Sequence, residues 1–247
     1  MIKRVVFALM LICVSSTLSS IEKRVEPFDR VAISVSADVF ISQADVSRVV
    51  LNGNLAKHVR VKVRGGELKV YKKPFFFLRT MFLFNQKLDV YVYTQQIREI
   101  QISGSSEVSS TDVLTGEEFS LFVSGSASTN LKIKVDRVRI NISGSADVEL
   151  DVKADELFTK VSGSTDLKYY GQVEKAEYKI SGSADVKAFD LQSVQTRIDA
   201  SGSADIEVNV AESLDIDISG SVDLQYKGDG KIGRIETSGS ANIDKVD

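Results

Sequence analysis

Ile140-Asn141-Ile142-Ser143-Gly144-Ser145-Ala146-Asp147-Val148-Glu149-Leu150 carries the pattern that decides the fold. Apolar residues stand at even offsets on both sides of Gly144, which is the two-residue period of a strand and excludes a helix. The Ser-Gly-Ser at its centre recurs eight times, with glycines at 104, 125, 144, 163, 182, 202, 220 and 239. Their separations of 21, 19, 19, 19, 20, 18 and 19 residues mark stacked supersecondary units, each burying its apolar face against its neighbours.

The copies align in columns. Two positions before each glycine stand Ile102, Val123, Ile142, Val161, Ile180, Ala200, Ile218 and Thr237. Four positions after it stand Val108, Thr129, Val148, Leu167, Val186, Ile206, Leu224 and Ile243. Continuous alternation through the tripeptide would turn each glycine inward and both serines outward. About nineteen residues cannot hold two strands and a crossover helix, which alone needs a dozen or more. The sequence therefore predicts an all-β, single-stranded parallel β-helix, one coil per copy, with like columns stacked at about 4.8 Å. It leaves the handedness open.

Residues 1–20 read as a signal peptide: Lys3 and Arg4, the apolar run Val5 to Val14, then the small polar stretch Ser15 to Ser20. The only cysteine, Cys13, lies inside it, preceded by Ile12 where lipoprotein processing wants a small residue. Residues 21–247 form the predicted domain, with no transmembrane segment after signal cleavage. It carries 29 Lys+Arg against 34 Asp+Glu, a net charge of −5. That balance argues against nucleic acid and against electrostatic adhesion to anionic lipid. The expected location is the periplasm, the outer-membrane surface or the extracellular space.

Within the domain, residues 21–51 read as a degenerate first repeat, because Ser36-Ala37-Asp38-Val39 matches later copies with Val35 in the glycine position. Residues 52–100 break the period. They contain a hairpin turning at Gly65-Gly66 and a Phe-rich insertion, Phe75 to Phe84. The eight Ser-Gly-Ser coils occupy residues 100–247.

The Pro27-Phe28-Asp29-Arg30-Val31 opening, the Gly65-Gly66-Glu67-Leu68-Lys69-Val70 hairpin return and the Ser-Gly-Ser-Ala-Asp-Val copies resemble the bacterial DUF2807 family, the putative auto-transporter adhesin, head GIN domain. The resemblance covers essentially all of the chain after the signal. It implies an exported β-helical protein without catalytic residues.

Two candidate interaction surfaces emerge. One is the column three residues after each glycine, with Asp147, Asp166, Asp185, Asp205 and Asp223 in consecutive copies. Such carboxylates at rung spacing repel by about 1 kcal/mol per adjacent pair in water, so they must face solvent, accept hydrogen bonds or hold cations. Lys168 and Lys187, two residues on, can offset the middle of the column. The other is the Phe-rich segment with Phe75, Phe76, Phe77, Phe82 and Phe84, either a plug on the helix or an exposed contact for a partner, a second copy or, with Lys72, Lys73 and Arg79 flanking it, a membrane headgroup region.

No catalytic, metal or cofactor motif is found. The glycine-rich nonapeptide of calcium-binding β-rolls is absent, and His58 is the only histidine. Paired carboxylates could serve a retaining glycosidase, but that chemistry needs two unlike environments and the column repeats one. The expected protein is an exported, non-enzymatic, adhesin-like scaffold. It would bind a macromolecule or glycan at the cell surface, or self-associate through the Phe-rich loop. The alternative is a carbohydrate-binding or carbohydrate-cleaving β-helix that uses the carboxylate column.

Overall fold

The computed structural model describes residues 20–73 and 87–247. Its strands are β1 (Ser20–Arg24), β2 (Arg30–Ser34), β3 (Asp38–Gln43), β4 (Arg48–Asn52), β5 (Val59–Arg64), β6 (Glu67–Lys72), β7 (Asp89–Thr94), β8 (Glu99–Ile102), β9 (Ser105–Thr115), β10 (Glu118–Val123), β11 (Ser126–Lys134), β12 (Arg137–Ile142), β13 (Ser145–Lys227) and β14 (Lys231–Lys245). They build a β-solenoid of about eight turns with coils of about nineteen residues. β13 is one extended run of 83 residues that winds through the corners at Gly163, Gly182, Gly202 and Gly220.

Each coil lays one strand on a leading face, before the glycine, and one on a trailing face, after it. On the leading face β2, β8, β10, β12 and the matching part of β13 pair in parallel. On the trailing face β3, β9, β11 and β13 do the same. The core lies between the faces. Val148, Leu167, Val186, Ile206 and Leu224 stack there with at most 2% of their surface exposed. Burying each such side chain contributes about 1.5–3 kcal/mol.

The alternation changes phase at the corner opposite the glycine. Val148, Leu150 and Val152 point inward, and after the turn near Asp155 the inward set becomes Leu157, Thr159 and Val161. Through Ser-Gly-Ser the phase is kept, so both serines stand in solvent as expected. The glycine does not point inward. A Cβ at Gly144 would lie 2.3 Å from the carbonyl oxygen of Gly125, and one at Gly202, where φ is +127°, would lie 2.3 Å from that of Gly182. The missing side chain thus leaves room for the backbone of the coil beneath. The carbonyl it spares is in use: the amides of Ser145 and Ser164 donate to the oxygens of Gly125 and Gly144 at 2.9 and 3.0 Å.

Irregular spacings have local causes. In the 21-residue interval, Asn130 pairs with Ser109 but Lys132 pairs with Val113, so β9 bulges by two residues. The Ser110 hydroxyl accepts from the Lys132 amide at 2.9 Å within that bulge. In the 20-residue interval the buried Ser193 and Thr196 hydroxyls bond to each other at 2.6 Å, and Ser193 donates to the Asn209 carbonyl at 2.9 Å.

The first coils are stacked out of chain order, which differs from the sequence reading of residues 21–51 as the first rung and of 52–100 as a break in the period. β6 pairs in parallel with β2, and β7 with β3, so β6 and β7 form the outermost rung. The β2–β3 rung lies second, between them and β8–β9. No Ser-Gly-Ser separates β6 from β7 in the sequence, unlike the two strands of each later coil. Beyond this rung the pairing reverses. β5 lies antiparallel on β6 across the Gly65-Gly66 turn, β4 lies antiparallel on β7, and β1 on β4. A 3-10 turn at Ala56–His58 crosses between the faces, and buried Leu51, Leu55, Ala56 and Val59 close this end of the core.

Candidate functional site

A groove of about 1000 Å³ runs along the trailing side of the glycine corner. Its floor is the small residue two after each glycine, such as Ala146, Ala184 and Ala204, which is buried in each case. One wall is the second serine of each tripeptide, from Ser126 to Ser240. The other is the aspartate column: Asp147, Asp166, Asp185, Asp205 and Asp223 all line it. The concavity follows from the sequence, since a small side chain between two outward polar ones leaves a trough that parallel stacking repeats at about 4.8 Å per rung.

The serine wall is held from behind. Its amides are tied to the preceding glycine carbonyls, which fixes the direction of the side chains. Among the described residues, the hydroxyls of Ser126, Ser145, Ser164, Ser183, Ser203 and Ser221 bond to no other protein group. They remain as donors and acceptors facing the trough. Coil-to-coil hydroxyl contacts occur instead at the first serine of the motif, where Ser103 meets Ser34 at 2.8 Å and Ser201 donates to the Ile180 carbonyl at 3.3 Å.

In the aspartate wall, Lys187 Nζ lies 3.0 Å from Asp185 Oδ2. This hydrogen bond, with the charges of Asp185, Glu207 and Asp166, raises the lysine pKa. Lys187 therefore stays protonated and offsets the centre of the column. Lys168 forms no ion pair among the described residues. No group of three or more His, Cys, Asp or Glu side chains among the described residues is arranged to hold a metal ion.

The column is longer than the tripeptides suggest. Asp38 pairs with Glu107, and Asp89 pairs with Asp38, which carries the acidic line to the outermost rung. Asp38 is legible in Ser36-Ala37-Asp38-Val39. Asp89 is not, because no Ser-Gly-Ser-Ala-Asp motif precedes it in the sequence. Sequence reasoning also missed the outward aromatics of this face: Phe40 and Tyr91 stack with centroids 4.9 Å apart, and the Arg48 guanidinium lies 4.2 Å over the Tyr93 ring. Tyr169 and Tyr178 lie in the core, fully buried with centroids 6.1 Å apart.

Phe75, Phe76, Phe77, Phe82 and Phe84 lie outside the described residues. The chain leaves at Lys73, whose amide donates to the His58 carbonyl at 2.9 Å, and returns at Lys87, whose amide donates to Asn54 Oδ1 at 3.1 Å. Both anchors belong to the closed end of the solenoid.

The profile of the DUF2807 family, putative auto-transporter adhesin, head GIN domain, matches residues 27–230. The chain belongs to this family. A putative lipid-binding protein from Parabacteroides distasonis has the same fold, with a TM-score of 0.82 at 23% identity over 94% of this chain and 98% of that one. A putative adhesin from the same species gives 0.77 at 20% identity, and one from Parabacteroides merdae gives 0.68 at 19%, each with the same coverage of 94% and 98%. No curated protein matches the chain. Among the described residues no helix is long and apolar enough to cross a membrane.

Proposed function

We propose that this DUF2807 protein is an exported, non-enzymatic, adhesin-like scaffold. It holds an extended macromolecule or glycan of the cell surface along the groove. The observation that carries this reading is the sameness of the groove from rung to rung: free serine hydroxyls on one wall, carboxylates on the other, small residues between. A compact substrate would use one rung and leave the others idle. A repeating, hydrogen-bonding chain would use them all, and the summed contacts would resist detachment.

The same sameness speaks against hydrolysis. A glycosidase pair needs one carboxyl kept protonated beside another kept ionised. Here each column aspartate has an equivalent open setting, and only Asp185 is distinguished, by its ion pair with Lys187. A glycan array with a reducing-end assay separates the two readings. Binding without release of reducing ends is expected, and turnover of any bound glycan would establish the carbohydrate-cleaving alternative.

A further inference from the structure

The net charge of −5 conceals a segregation that the fold makes plain. Residues 57–73 hold seven Lys and Arg and one acid, Glu67, whereas the rest of the chain after residue 20 holds 22 basic and 33 acidic residues. The basic group is not scattered by folding. Residues 59–72 form the β5–β6 hairpin, which ends the leading face of the solenoid. Val59, Val61 and Val63 turn toward the core, so Arg60, Lys62 and Arg64 all stand exposed on the outer side.

The register sharpens this. Lys62 lies directly opposite Lys69, a like-charged cross-strand pair that destabilises a hairpin. Lys69 is offset by Glu67 at 2.9 Å, but among the described residues Arg60, Lys62 and Arg64 pair with no carboxylate. The groove begins about four rungs away, roughly 19 Å or two Debye lengths at 0.1 M salt. Outside the groove the acidic line comes nearest at Asp89 on β7, on the opposite face, so Glu67 is the one acid of the hairpin itself.

We propose that the β5–β6 end is a docking surface for an anionic lipid bilayer. Arg60, Lys62 and Arg64 lie along one strand at the tip of a rod. They can approach a plane together, while repulsion from the acidic body orients the rod away from it. Exposed Lys57 and Lys72 border the same end. This proposal departs from the expectation drawn from net charge, because a juxtamembrane surface reads the local field, which decays within a Debye length.

The test uses residues 21–247, the chain expected after removal of the signal peptide. Sedimentation is measured with vesicles of phosphatidylcholine alone and of phosphatidylcholine with phosphatidylglycerol. Binding to the anionic vesicles is expected at low salt, with loss at high salt and none to the neutral ones. Each neutralised charge should weaken it about fivefold, so R60Q/K62Q/R64Q should bind about a hundredfold less. R137Q/R139Q, on β12 of the same face, should bind as the parent does, and circular dichroism checks that both variants fold. Equal binding to neutral vesicles, or an unchanged affinity in the triple variant, would overturn the proposal. So would retention on a heparin column without any vesicle binding, which would assign the surface to a soluble polyanion.

Discussion

Gly202→Ala tests the corner on which the solenoid is built. The new methyl group would sit 2.3 Å from the Gly182 carbonyl oxygen and 3.0 Å from the Gly182 nitrogen, both backbone atoms of the neighbouring rung. The neighbour cannot swing aside as a flexible side chain would, so relief requires the coils to separate locally, at about 1–3 kcal/mol for overpacking. At φ of +127° the backbone is also one that alanine rarely adopts, worth a further 1–3 kcal/mol or so. Together these give a loss of about 2–6 kcal/mol. Urea unfolding followed by circular dichroism reads it as a lower midpoint, with Ser203→Ala, one residue on and exposed, as the control expected within about 0.5 kcal/mol of the parent. A Gly202→Ala protein as stable as that control would refute the close-approach account of the ladder.

Two further predictions concern the core. Thr159 and Tyr169 share a buried hydrogen bond of 2.9 Å, so Thr159→Val should cost about 1–3 kcal/mol by leaving the phenol without that partner, and adding Tyr169→Phe should recover part of the loss in a double-mutant cycle. Burial raises the pKa of Tyr169 well above the ordinary value of 10.0, against a smaller lowering by its bond to Thr159, and raises Tyr178 likewise, helped by its neighbour Tyr169. Both phenols stay neutral in the native protein while the unfolded chain begins to lose their protons near pH 10, so stability holds below that pH and falls as pH rises above it. An absorbance titration should find two of the seven tyrosines ionising only with unfolding, and ionisation of all seven in the folded protein would contradict their placement.

The coil was legible because it is written in one-dimensional regularities. Even-numbered apolar columns fix strands, and the glycine recurs where backbones touch. The aspartate column was legible for the same reason, as was the match of Val35 to the glycine position, where Gly104 now stacks on it. The rung order was hidden because it depends on pairings far apart in the chain, such as Ser34 with Ser103, and no local pattern says which rung a strand joins. The groove was half visible. Its aspartates and serines each recur as a column, but the trough between them is a property of the small buried residue at Ala146, Ala184 and Ala204, which reads locally only as core. Net charge hides the basic β5–β6 hairpin for a related reason, since a sum over the chain has no position.

Filling the groove tests it directly as the contact surface. Ser183 and Ser203 face the trough from adjacent rungs, and their side chains make no protein contact that a larger residue would break. Ser183→Arg with Ser203→Arg places two long side chains across the trough while leaving the glycine ladder intact. Saturation binding of this variant and the parent is compared on the glycan that an array shows the parent to retain best. The predicted result is at least a tenfold loss of affinity with an unchanged unfolding midpoint. Undiminished binding by the folded variant would contradict the groove as the contact surface.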